Sequence, residues 1–411
     1  MRYFSMSLRK HQALILLITA MVTGLLLLYF IFGVVGKVPP SDYRELTDLV
    51  IDVEHSDGTM DTYNSHLFSY SSKDDLITMH IPLDKAWKSE YSSINFLFYN
   101  SIIKAYYKDK LLITYGENID RHMIGKQKVT IPVPDKAYGG EIRVVIKPLT
   151  GILEDTFRSP VLMSFKTDQF YPIIGQEAFY AIFSVILIFS FIGMIIFAFL
   201  YRTVDFAREG TWLMGLIFSI TLWYMGNSGM LYMLTSSENI SAVGEYIGMY
   251  LLFSTAPLFS SFETERPVVR KYLKISGFIL FAVFWICLAL YILPSGFNYV
   301  WQLRWMQALQ IVMVFSALIS LLFPGKKRKT GADQVMGFGL IGVAIFGILE
   351  QIRIIVAAQI TENWPPLLQW FAKAHFSTVL ILLLVITLFT SYVIKVKDIL
   401  QKSLREKHLE I

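Results

Sequence analysis

The 411-residue sequence contains one cysteine, Cys287, and only 17% charged residues. A single cysteine cannot close an intrachain disulfide or build a cysteine-based zinc site. Soluble domains carry roughly 25% charged residues, whereas here 54% of the side chains are hydrophobic. This composition excludes a soluble enzyme, a disordered regulator and a collagen-like fibre, and it predicts a membrane protein.

Eight apolar stretches are long enough, at about 20 residues, to cross the hydrocarbon core of a bilayer as helices. The first, residues 13–36, follows the basic segment 1–12. It predicts an anchor helix or an uncleaved signal, because it exceeds the roughly 7–15 apolar residues of a cleaved signal peptide. The other seven form a predicted helical bundle over 172–393. They cover approximately 177–201, 211–235, 243–262, 275–293, 299–323, 334–358 and 366–393.

Lysine and arginine are distributed unequally among the short connections between these stretches. The connections near 236–242, 294–298 and 359–365 contain neither residue, whereas the alternate connections and the segment 394–411 are basic. Because basic loops stay in the cytoplasm, we expect a multi-pass plasma-membrane protein with both termini cytoplasmic and residues 37–171 outside. The formal charge of +5 then lies beside membrane lipid, and nucleic acid is not an expected partner.

Residues 37–171 show period-two and β-branched patterns that predict an all-β domain, either a sandwich or a jelly roll. A hairpin turn is expected at Lys108-Asp109-Lys110. The predicted strands are Leu49–Glu54, Leu76–Ile81, Ile94–Tyr99, Ile103–Tyr107, Leu111–Tyr115, Lys128–Val133, Glu141–Lys147 and Val161–Phe165.

Aromatic side chains of this domain are candidates for stacking on an extracellular ligand, among them Trp87, Tyr106 and Tyr115. The alternative is that they fill the domain core. His55, Asp57 and Asp61 lie close in sequence, but their spacing matches no metal-binding signature. We predict no metal, no cofactor and no catalytic residues, and therefore no enzyme.

Polar residues inside apolar helices are costly, so they indicate function or internal pairing. Two interpretations stay open: an outward-facing chamber that binds a small ligand, or a network of ion pairs that holds the helices together. Gly226 and Gly229 flank Asn227 and Ser228 and leave room for close helix approach. The candidates are Asn227, Glu245, Arg304, Gln307, Glu350, Arg353, Lys373 and His375.

Three local segments carry a resemblance to a family: 222–230, Glu245-Tyr246 and Glu350-Gln351-Ile352-Arg353. Together with the layout, they resemble the bacterial seven-transmembrane receptors with diverse intracellular signalling modules. The resemblance implies an extracellular jelly-roll sensor for a carbohydrate or another small ligand. It also implies output through a diguanylate cyclase, a histidine kinase or a phosphatase.

The predicted tail, 394–411, has a short apolar stripe, Val396, Leu400 and Leu404, but no kinase or cyclase domain follows it. We therefore expect a separate cytoplasmic effector, such as a kinase or diguanylate cyclase, and a possible homodimer. The expected function is a sensory receptor that passes an extracellular signal through seven helices. The alternative is a transporter or channel with an extracytoplasmic capture domain.

Overall fold

A computed structural model gives the structure of the chain. It describes residues 43–46, 49–64, 70–71, 75–99, 101–117, 126–148, 152–153, 160–173, 176–235, 238–292, 312–313, 316–317, 319–321, 323, 330–357, 365, 367 and 376–409. The predicted anchor, most of the predicted span 299–323 and the first part of 366–393 lie outside these residues.

The N-terminal part of the chain is a β domain with two larger antiparallel sheets and one small one. Strand order is β1-β12-β6-β9 in one sheet, β3-β2-β5-β10-β7-β8 in the second and β11-β4 in the third. The strands are β1 Tyr43–Glu45, β2 Val50–Glu54, β3 Met60–Asn64, β4 Tyr70–Ser71, β5 Leu76–Pro82, β6 Ser93–Tyr99, β7 Ser101–Tyr107, β8 Lys110–Tyr115, β9 Lys126–Pro132, β10 Glu141–Pro148, β11 Ile152–Leu153 and β12 Val161–Met163.

Alternation of apolar residues decides which face of each strand is buried. Ile77, Met79 and Ile81 of β5 point into the core, whereas the residues between them are partly exposed. Phe96 and Phe98 of β6 enter the same core from the other sheet. One hydrophobic core therefore lies between the two larger sheets, because each strand of period two has one apolar face.

All eight predicted strands are confirmed, with ends that shift by one or two residues. The predicted hairpin turn is also confirmed: β7 and β8 pair around Lys108, whose φ is 52°. Strand β3 was not predicted because its sequence, MDTYN, is polar and its side chains are mostly exposed. It is held as an edge strand by pairing with β2. The jelly-roll topology stays a prediction.

Helices make up the rest of the described chain. They are α1 Glu177–Leu200, α2 Asp205–Asn227, α3 Leu231–Thr235, α4 Glu238–Glu263, α5 Pro267–Ile292, α6 Gly331–Ala357 and α7 Phe376–Leu409. Three segments, Glu177–Leu200, Pro267–Leu290 and Phe376–Ile399, are long and apolar enough to cross a membrane. Large apolar side chains such as Phe199 and Ile286 are exposed on them, as expected for a protein whose helices face lipid.

Two helices differ from the predicted spans. The predicted span 211–235 is interrupted after Asn227, where Gly229 adopts a φ of +79° that side chains with a Cβ rarely adopt. The predicted span 366–393 and tail 394–411 have no break between them, because α7 continues to Leu409. Apolar composition identified both regions as long helical segments. It could not show that the first contains a turn or that the second continues without a break.

Neighbouring helices pack in the order α1 on α2, α2 on α4 and α4 on α5, while α6 packs on α7. Glycines permit the closest crossing. A Cβ built on Gly226 would lie 2.7 Å from Cα of Glu245, and one on Gly248 would collide with the backbone of Trp223. Helices α2 and α4 therefore approach each other more closely than larger residues would allow, as the glycine pattern predicted.

Candidate functional site

A short 3-10 helix, Asp168–Ile173, joins the β domain to the helices. Tyr171 is buried in the β-domain core, whereas Phe170 and Ile173 are buried in the core of the helices. Successive residues of one turn therefore belong to two hydrophobic cores. This segment therefore connects the two cores directly.

Side chains of the β domain also touch α3 and the turn before it. Lys128 of β9 is 6% exposed. Its Nζ lies 3.6 Å from Oδ2 of Asp168 and 5.6 Å from the ring centroid of Tyr232. Leu97 of β6 lies against Gly229, where an added Cβ would be 2.9 Å from its Cδ1. We call these contacts, with the 3-10 helix, the joint. The helix ends near it are the domain-side ends, and the opposite ends are the tail-side ends.

At the tail-side end, one lysine connects three helices. Nζ of Lys395 on α7 donates to Oε2 of Glu209 on α2 at 2.7 Å and to Oε1 of Glu263 on α4 at 3.0 Å. Both carboxylate side chains are 10% exposed and the lysine side chain is 27% exposed. Charge-assisted hydrogen bonds of this kind are shorter and stronger than neutral ones.

Tyr392, one turn before Lys395, fixes the same level of α7 to α2. Its hydroxyl donates to the carbonyl of Phe206 at 2.9 Å. Its ring meets Phe197 edge to face at 5.9 Å between centroids. At the domain-side end, the hydroxyls of Tyr224 and Thr378 lie 2.5 Å apart. Hydrogen bonds therefore hold α7 against α2 at both the tail-side and the domain-side level of the helices.

The outward face of the six-stranded sheet carries a row of polar side chains. His80 of β5 lies 3.3 Å from Asp52 of β2 and 3.3 Å from Glu141 of β10. Arg143, opposite Tyr106 in the register of β10 and β7, places its guanidinium 5.3 Å from that ring centroid. A flat ring beside charged hydrogen-bonding groups is the combination that polar ligands with an apolar face require.

The three predicted aromatic residues of the β domain occupy different surroundings. Tyr106 lies on the outward face, half-buried. Trp87 packs on the domain core with the guanidinium of Arg44 4.4 Å from its ring centroid. The hydroxyl of Tyr115 donates to the Thr130 carbonyl and accepts from the Thr130 N–H, each at 3.0 Å. The structure therefore does not gather these residues into one site, and Tyr115 connects the two larger sheets.

The predicted chamber residues are only partly described. Glu245 is buried at the crossing of α2 and α4, and Asn227 is exposed at the end of α2. Glu350 and Arg353 lie on α6, one turn apart, but the positions of their side chains lie outside the description. The rest, Arg304, Gln307, Lys373 and His375, lie outside the described residues. Both interpretations of this cluster stay predictions.

His55, considered above as a doubtful metal ligand, lies between two carboxylates. Its Nε2 is 3.1 Å from Asp61 and its Nδ1 is 3.2 Å from Asp75. The hydrogen bond with Asp61, followed by that with Asp75, raises the pKa of His55 above 6.5. Within the described part of the chain, no group of three or more His, Cys, Asp or Glu residues is arranged to hold a metal ion.

No family model, curated protein or solved structure matches this chain. The functional interpretation therefore depends on the geometry of the joint, the helices and the tail-side cluster.

Sequence reasoning missed the cluster of Glu209, Glu263 and Lys395, and also the pair Lys128 and Asp168. Lys395 contributed only to the prediction of orientation. Its partners lie 186 and 132 residues earlier in the chain. The sequence did contain one signal. Both glutamates lie immediately beside predicted spans and close to basic residues, a position in which an acidic side chain is expected to form an ion pair.

Proposed function

We propose that the chain is a plasma-membrane sensory receptor. In this proposal an anchor helix and seven spans cross the membrane, the jelly-roll β domain binds a small extracellular ligand, and the tail contacts a separate cytoplasmic effector such as a kinase or diguanylate cyclase. The observation that carries the proposal is the position of α2. Its tail-side end holds Glu209 against the tail helix, and its domain-side end leads to Gly229 at the joint.

Helices move as nearly rigid rods, so a displacement at one end of α2 reaches the other end. Close packing against α4 through Gly226 and Gly248 makes the two helices move together. A shift of the joint can therefore alter the contacts of Lys395 without any long-range change inside a helix.

The continuity of α7 supports transmission into the tail. Because the helix runs from Phe376 to Leu409 without a break, a rotation or tilt at Lys395 also reorients the residues beyond it. A continuous helix that leaves a membrane is suited to contact an effector or a second copy of the chain through its apolar stripe.

The outward face of the six-stranded sheet supports ligand binding in the β domain. Arg143 places a charged guanidinium beside the ring of Tyr106, and the imidazole of His80 adds a polar group on the same face. A carbohydrate or another small polar ligand with an apolar face fits this combination. For the ligand to signal, it must bind two packings of the helices with different affinity.

The test uses the full chain in lipid nanodiscs, with Cys287 replaced by alanine and Gln401, which is exposed on α7, replaced by a cysteine that carries an environment-sensitive fluorophore. Monosaccharides, nucleosides and amino acids are screened for a rise in thermal stability, which is about 2.7 kcal/mol at 100 times the dissociation constant. We expect a stabilising compound to change the fluorescence at residue 401 as well.

Arg143→Ala should abolish both responses. Lys88→Ala should abolish neither, because Lys88 lies on the 3-10 helix Lys85–Ser89 and not on a strand of the six-stranded sheet, and its ion pair with Asp135 is exposed. A compound that binds but leaves the fluorescence unchanged contradicts the receptor proposal. Accumulation of that compound in proteoliposomes would instead support the transporter.

A further inference from the structure

In the cluster of Glu209, Glu263 and Lys395, two largely buried carboxyl groups share one ammonium. Buried charges are stable only when they are paired and hydrogen-bonded, so the closed cluster depends on Lys395 staying between the two glutamates.

Each carboxylate belongs to a different helix. Glu209 lies near the start of α2 and Glu263 is the last residue of α4. Without an intervening cation, ionised side chains at these two positions repel each other. Lys395 can contact both only while α2, α4 and α7 keep their present spacing. If α7 rotates, the ammonium can stay with one glutamate and leave the other to water. Such an arrangement favours two discrete packings over a continuous range of positions.

The packing of residues next to the cluster fixes the position of Lys395. A Cβ on Gly210 would collide with the hydroxyl of Tyr392 and would lie 3.0 Å from the ring of Phe197. The glycine next to Glu209 thus lets Tyr392 reach the carbonyl of Phe206. This close fit places Lys395 one turn further along α7, at the level of both glutamates.

We propose that Glu209, Glu263 and Lys395 form a charge latch that holds the tail helix against α2 and α4. The latch is closed in this structure, and its opening frees α7 to take a second orientation. The claim that signalling opens the latch rests on the proposed receptor function. The claim that the latch positions the tail is independent of that function and can be tested without any ligand.

The test measures the distance between two spin labels in the full chain in nanodiscs. With Cys287 replaced by alanine, cysteines at Arg202 and Gln401, both exposed, place one label before α2 and one beyond the latch on α7. We expect a single narrow distance distribution. In Lys395→Met the two carboxyl groups face each other without a cation, and a second population at a longer distance should appear.

Three further variants make the result specific. Lys397→Met removes a neighbouring exposed lysine and should keep the single distribution. Glu209→Gln leaves a balanced pair of Lys395 and Glu263, and the tail should stay closed. The exchange Glu209→Lys with Lys395→Glu restores one ammonium and two carboxylates, and it should restore the narrow distribution.

An unchanged distribution in Lys395→Met overturns the latch, as does an equal change in Lys397→Met. If Lys395→Met does not fold, the charge exchange decides: a well-folded exchanged chain with a displaced tail contradicts the proposal, and one with the original distance supports it. Since no ligand is added, loss of the latch leaves the receptor proposal standing. A chain that binds no compound equally leaves the latch intact.

Discussion

At the scale of single residues, His55 shows how surroundings change an ordinary side chain. Neither of the two carboxylates beside its ring can donate a hydrogen bond when ionised, so only the doubly protonated imidazole donates to both Asp61 and Asp75. Those bonds connect the turn after β2 with β3 and with the residue before β5. The charge state of one ring therefore affects three neighbouring strands.

A dependence on pH follows from the raised pKa of His55. The protonated ring stabilises the folded state fully below the unfolded pKa of about 6.5, and this contribution is lost as the pH rises through the higher folded pKa. We expect the thermal midpoint of the β domain, measured in the full chain, to fall over this window relative to His55→Gln.

Asp61→Asn provides the matched comparison, because it removes the largest cause of the raised pKa and leaves Asp75 in place. The step in stability should then move to lower pH. If the thermal midpoints of the unchanged chain and of His55→Gln differ by the same amount at about pH 5 and about pH 9, the protonated ring does not stabilise the fold.

At the scale of elements, the crossing of α2 and α4 depends on glycine. A Cβ at Gly226 would lie 2.7 Å from Cα and Cβ of Glu245 and 2.8 Å from its backbone nitrogen. Since backbone atoms cannot move aside cheaply, the helices have to separate. The same helices carry the joint at one end and the latch at the other, so their spacing affects both.

Gly226→Ala should therefore destabilise the helices by about 1–3 kcal/mol, the usual cost of overpacking. Gly337 on α6 is the control, because nothing lies within 4 Å of a Cβ built there. Gly337→Ala should be neutral or stabilise by about 0.5–1 kcal/mol, since alanine is the better helix former. Titration with SDS measures both; equal losses would argue against a tight crossing.

At the scale of the whole molecule, the proposed orientation places the β domain and the tail on opposite sides of the membrane. A chain with Cys287 replaced by alanine and one cysteine at Asp109, in the exposed hairpin turn, should react with a membrane-impermeant maleimide in intact cells. A cysteine at Gln401 should react only after the membrane is permeabilised. Labelling of both positions in intact cells would contradict the predicted topology.

Strong local patterns in the sequence were sufficient to locate many of the strands and helices. Alternating residues such as Ile77, Met79 and Ile81 located the strands, because a strand with one buried face has a period of two. Apolar stretches located the long helices, because lipid requires about 20 apolar residues per span. Gly226 correctly indicated close helix approach near the domain-side end of α2, whereas Gly229 lies against Leu97 of a strand.

Contacts between residues far apart in the sequence follow from the packing of the elements and could not be predicted from local patterns. Lys395 finds Glu209 across 186 residues of sequence and Glu263 across 132, and no local period encodes such a contact. The turn at Gly229 likewise depends on Leu97, which approaches from the β domain. Local patterns fix the faces and lengths of elements, whereas the latch and the joint arise from how those elements pack against one another.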